Sequence, residues 1–109
     1  MAGAKIIVMY PRPTDTRTFD KEYTERHVPL ALDSFGGLVK LVPTRVVGTA
    51  SGDAAPYYRI AELYFRSMDD LKKAAGSSTG QEAVGHAMEI STGGSPIFLV
   101  AEEDDPLIP

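Results

Sequence analysis

The chain contains no cysteine, which removes disulfides, thiol nucleophiles and thiolate metal sites at once. It also lacks an apolar run long enough to span a membrane, and the early stretch KIIVMY is too short and wrongly flanked for a signal peptide. A cytoplasmic protein with no membrane partner is the expectation. Positive charge is in deficit: 11 Lys and Arg face 15 Asp and Glu, a net charge of −4. That balance disfavours nucleic acid as the partner, because such binding rests on neutralising phosphates. Part of the acidity lies in the C-terminal stretch AEEDDPLIP, so the body is nearer neutral and suits a small uncharged or weakly anionic ligand. No repeat or low-complexity tract is visible, and 109 residues allow a single domain spanning 1–109.

What is present orders itself clearly. AKIIVMY reads as a strand and stops at PRP, where proline removes ladder donors. A helix is predicted from Thr18 as N-cap, with Asp20 and Glu22 in its first turn, ending before Gly36 and Gly37. LVKLVPTRVV predicts a strand in which Pro43 marks a bulge or an edge position. The loop GTASGDAAP leads to a further strand, YYRIAELYFR. Two starts of capping-box form, Ser67-Met68-Asp69-Asp70 and Thr79-Gly80-Gln81-Glu82, open two helical pieces separated by GSSTG. PIFLVAE is the last strand. The order βαββαβ predicts a ferredoxin-like α+β sandwich with an antiparallel sheet. Leu107 and Ile108 predict a tail that lies extended against its own subunit or a partner.

The strands carry a second message. One face of YYRIAELYF holds Tyr57, Arg59, Ala61, Leu63 and Phe65; the other holds Tyr58, Ile60, Glu62 and Tyr64. Helices cover one face of such a sheet, so the second should be polar. Here it is apolar and aromatic, and KIIVMY and IFLVA are apolar on both faces. A second copy of the same sheet is the simplest cover, which predicts a homodimer joined through its sheet faces.

The stretch EYTERHVPLA contains the main anomaly. On a helical wheel Phe19, Tyr23, His27 and Leu30 share a stripe of about 80°, which places His27 on the packed side. Pro29 cannot donate to the Glu25 carbonyl and crowds it, so the ladder must bend or open there. An opened turn can aim the imidazole at a cavity; the plainer alternative is a paired histidine at the edge of the core. Glu62 is a second anomaly, a carboxylate between Ile60 and Tyr64. It is either locked by Arg45 or Arg66 at the dimer seam, the favoured reading, or a base beside a cavity. His86, near Glu82 and Glu89, is expected in solvent, and two histidines on separate helices form no metal spacing.

The blocks MYPRP, FDKEYTERHVPLA, AELYFRSMDDLKKA and IFLVAEE, in that order, resemble the EthD family over nearly the whole chain. The resemblance implies a dimeric α+β barrel, two ferredoxin-like units with their sheets face to face around a cavity. Similar barrels include cofactor-independent quinol monooxygenases, muconolactone isomerases and polyketide cyclases. The family histidine falls on His27, its tyrosine on Tyr23 and its Tyr-Pro on Tyr10 and Pro11.

Imidazole suits proton transfer near neutrality, so His27 is the catalytic candidate. Tyr23, one turn earlier, orients that ring or packs beneath it. Tyr10 offers its hydroxyl to a bound carbonyl or simply packs at the strand end. Tyr58, Glu62 and Tyr64 complete the substrate-binding candidates. The expectation is a small enzyme of catabolic or secondary metabolism, without cofactor or metal, acting on a small cyclic or aromatic substrate as isomerase, cyclase or quinol-type monooxygenase. The alternative is a non-catalytic binding or accessory protein of a degradation pathway, using the same pocket for a small hydrophobic ligand. A third reading, RNA binding through the same element order, is disfavoured by the absence of the glycine and basic pattern in YYRIAELYF.

Overall fold

Alternation along the first strand fixes which way the sheet faces. In the computed structural model, which describes residues 3–107, β1 (Ala4–Tyr10) buries Ala4, Ile6, Val8 and Tyr10 and leaves Lys5, Ile7 and Met9 half-buried on the other side. β3 (Arg59–Phe65) pairs with it antiparallel, setting Ile6 opposite Leu63 and Val8 opposite Ala61 on the buried face. β4 (Ile97–Glu102) flanks β1 on the other side, and β2 (Leu38–Arg45) pairs with β3. The sheet order is β2-β3-β1-β4, all antiparallel. With α1 (Thr16–Glu22), α2 (Val28–Ser34), α3 (Met68–Gly76) and α4 (Ser78–Ile90), this is the ferredoxin-like α+β fold expected from the sequence. The core lies between the helices and one sheet face, built on Phe19, Tyr23, Leu63, Phe65 and Leu71. No helix among the described residues is long and apolar enough to cross a membrane.

Several boundaries differ from the sequence expectation, each for a local reason. The first helix is capped by Asp15, not Thr18: its carboxylate accepts from the backbone N–H groups of Arg17 and Thr18, and Asp20 and Glu22 fall beyond the first turn. Ser67 caps α3 as expected, but α4 is capped by Ser77, while the Thr79 hydroxyl donates to the Ser34 carbonyl and ties α4 to the end of α2. β2 ends at Arg45, not Val47. Pro43 sits within this edge strand, and the register shift lies between Leu38 and Lys40 rather than at the proline. Gly37, at φ +81°, makes the left-handed turn out of α2 that a side chain would strain. Leu107 is 99% exposed and so rests on nothing among the described residues; Ile108 lies outside them.

The Pro29 defect takes a definite form. Residues Tyr23–His27, between α1 and α2, form a π-helical turn, and the Val28 N–H donates back to the Tyr23 carbonyl, five residues earlier. Pro29 sits in the first turn of α2, directly after the π-turn. The ladder opens one turn ahead of it.

Candidate functional site

The π-turn sets the geometry of an aromatic stack. Residues four apart on an α-helix are offset by about 40° around the axis, and the wider turn reduces that offset. Phe19 and Tyr23 stack at 5.7 Å between ring centroids, and Tyr23 and His27 at 5.9 Å, with interplanar angles of 16° and 30°. The row does not end there. His86, from α4, stacks on His27 at 5.2 Å and 24°, bringing the two Nδ1 atoms to 3.0 Å. Tyr10, at the end of β1, stands edge-on to Phe19, Tyr23 and His27, and its hydroxyl lies 3.2 Å from His27 Nε2.

Hydrogen-bond accounting assigns the protons. Tyr10 is fully buried, and among the described residues His27 Nε2 is its hydroxyl's only partner. Were Nε2 the donor, the buried phenolic proton would have no acceptor, at a cost of about 1–3 kcal/mol. Tyr10 therefore donates to Nε2, the His27 proton sits on Nδ1, and it is donated to His86 Nδ1. Burial, and next the facing His86, hold the His27 pKa down at about 4, so the ring is neutral at neutral pH. Burial pushes the Tyr10 hydroxyl far above its ordinary value and Tyr23 up to about 12, so both remain donors. Tyr23 has its hydroxyl buried with no hydrogen-bond partner among the described residues.

These three side chains line a cavity of about 30 Å³ between sheet and helices, with Val8, Phe35, Leu63, Ala87 and Phe98 among its apolar walls. That is about the space of one water molecule. No group of three or more His, Asp or Glu residues suited to a metal ion occurs among the described residues.

The sequence-named residues thus separate. Tyr10, Tyr23 and His27 meet on the helix-covered face. Glu62 and Tyr64 lie on the opposite, open face, beside Ile7 and Lys5 across the β1 ladder. Glu62 is engaged by Lys5 at 2.8 Å rather than by Arg45 or Arg66, and that bond holds the lysine pKa above its ordinary value. The Lys5 and Lys40 ammonium groups sit 5.3 and 4.5 Å from the Tyr64 ring centroid. Tyr58 does not share that face. It precedes β3, its N–H donates to the Tyr10 carbonyl, its ring packs edge-on against Phe19, and its hydroxyl donates to Asp20 at 2.8 Å. Arg59 joins the same carboxylate and lies 4.6 Å over the Tyr23 ring. Asp20 thereby ties α1 to β3 under the stack.

His86 is the residue that sequence reasoning misplaced. It is half-buried against His27, not solvated. A signal was available: Ile90 is buried on α4, and on a wheel His86 lies only about 40° from it.

The profile described as the EthD domain matches residues 11–89. An uncharacterised 11.0 kDa protein from Rhodococcus erythropolis is 28% identical over 99 residues, 91% of this chain and 94% of that protein. The crystal structure of an EthD family protein from Bacillus halodurans C-125 superposes with a TM-score of 0.84 at 28% identity, covering 94% of this chain and 99% of the other. Two more distant structures share the fold alone. A dimeric ferredoxin-like protein of unknown function from Jannaschia sp. CCS1 has TM-score 0.67 at 17% identity, covering 93% and 99% of the two chains. A variant of a cofactor-independent oxygenase from Streptomyces nogalater has TM-score 0.64 at 10%, covering 96% of each.

Proposed function

The chain belongs to the EthD family, and from that premise we propose that it is an enzyme using His27 for acid–base chemistry on a small cyclic or aromatic substrate. The observation that carries this is the Tyr10–His27 hydrogen bond at an apolar cavity beside a buried, unpartnered Tyr23 hydroxyl. A neutral imidazole can take a proton; in the empty site the resulting cation is disfavoured by burial. An enolate or phenolate forming beside it offsets that penalty, so the charge is stabilised only as the reaction proceeds. Tyr23 is a ready donor to the oxygen on which that negative charge develops. Isomerisation, cyclisation or lactone chemistry uses these groups alone, and a hydroquinone-like substrate stays within the same class because, once deprotonated, it can itself reduce dioxygen. A ring exceeds the free space of about 30 Å³, so binding requires the cavity walls to move apart.

The small cavity also favours a second reading, a protein that carries a small hydrophobic ligand without transforming it. Screening phenols, quinones and unsaturated lactones separates the two: binding with product supports the enzyme, and binding without product supports the carrier. Tyr23→Phe sharpens the test. It removes an unsatisfied buried hydroxyl, so stability should hold or rise by up to about 1 kcal/mol, while turnover drops. Lost stability with turnover intact would count against the assignment.

The reading includes a homodimer through the open sheet face. Ile7, Met9, Ile60 and Val42 are only partly covered there, with Ile97 37% and Leu99 44% exposed, and the Jannaschia neighbour is described as dimeric. Leu99→Glu, which places a further carboxylate amid those apolar side chains, should convert a sedimenting dimer to monomer. Wild type sedimenting as a monomer would end this part of the reading.

A further inference from the structure

We propose that His86 is the outer terminus of a proton relay, Tyr10–His27–His86, through which the buried imidazole exchanges its proton with water. The inference rests on the reading of His27 as the acid–base group and assigns a route that this reading needs. His27 is 7% exposed and carries its proton on Nδ1, the atom 3.0 Å from His86 Nδ1. Apolar side chains make up most of the rest of the cavity wall. His86 is half-buried, between Gly85 and Ala87 on α4, with the exposed carboxylates of Glu82 and Glu89 on the same helix.

The transfer balances. A proton leaves substrate for His27 Nε2, which the Tyr10 hydroxyl vacates as it turns to the substrate oxygen. The His27 Nδ1–H bond breaks as the His86 Nδ1–H bond forms, and His86 releases its Nε2 proton to water. His27 ends neutral with its proton on Nε2. As it returns that proton to the product, water reprotonates His86 Nε2 and the His86 Nδ1 proton passes back to His27 Nδ1, so His27 stays neutral. Without His86 a charged His27 would persist in an apolar site. The titratable and charged groups near His27 are Tyr10 from β1, Tyr23 on its own helix, His86 from α4, and Arg59 from β3 above Tyr23.

The test reads exchange of the His27 ring proton with water by ¹⁵N NMR, which needs no substrate. His86→Asn keeps an acceptor near the Nδ1 position but cannot pass a proton on. It should leave the His27 nitrogen shifts and the melting temperature near wild type while slowing exchange about tenfold or more. His86→Ala opens His27 Nδ1 to solvent, so its readout is rescue: added imidazole should speed exchange in proportion to its concentration. Wild-type exchange rates in His86→Asn, or exchange in His86→Ala that added imidazole does not accelerate, would overturn the relay. If these results hold and no screened compound is turned over, the relay stands and the enzymatic reading alone is lost.

Discussion

Lowering the pH from 6.5 to 4 should cost the fold about 3 kcal/mol through His27 alone. Its folded pKa of about 4 lies below the ordinary 6.5, with burial the main cause and the facing His86 the second. In that window the unfolded chain binds the proton and the folded chain does not, so protonation favours unfolding. The contribution is fully present above pH 6.5, falls as the pH drops towards 4, and changes no further once both states are protonated. Asp15, whose carboxyl is held below its ordinary value by hydrogen bonds from Thr18, adds to the loss only at the acid end of this window and mainly below it. Denaturant midpoints measured at half-unit steps of pH give the slope, and His27→Gln should flatten it. An equal slope in the variant would place the loss elsewhere.

The second large effect is on turnover. His27→Gln keeps a hydrogen-bonding side chain beside Tyr10 but cannot move a proton at neutral pH. On whichever compound the screen identifies, kcat should fall by about 10²–10⁴-fold, with KM little changed because the apolar walls remain. A rise in KM at constant kcat would make His27 a binding group. Full turnover would remove it from the chemistry.

How much of this was readable from the sequence depends on what each pattern reports. Strand parity in KIIVMY separated the two faces of β1, since alternation is a property of the strand itself, but both read as apolar, and only the packed helices decide which is buried. The stripe of Phe19, Tyr23 and His27 was equally legible, and Pro29 signalled an opened ladder, although not that the defect would be a π-turn. Tyr58 failed because parity holds only inside a strand; β3 begins at Arg59, and the preceding residue is set by its bonds to Tyr10 and Asp20. Glu62 found Lys5 because the lysine lies on the same face of the neighbouring strand, a pairing visible only once the register is known. His86 failed for a broader reason. A wheel ranks the faces of one helix and cannot say which helix packs beside it. Buried Ala83 and Ala87 let α4 lie close to α2, and a residue on the shoulder of that face reaches His27.

The central claim is a neutral His27, held by Tyr10 and reached by a small ring ligand. Following the ring ¹⁵N signals of His27 and His86, assigned with His86→Gln, through a pH titration and a panel of phenols, quinones and unsaturated lactones tests it most directly. His27 should remain neutral, with its proton on Nδ1, down to about pH 4, and its Nε2 signal should move with one class of ligand. A His27 that titrates at its ordinary value, or that responds to no ligand in the panel, would contradict the claim.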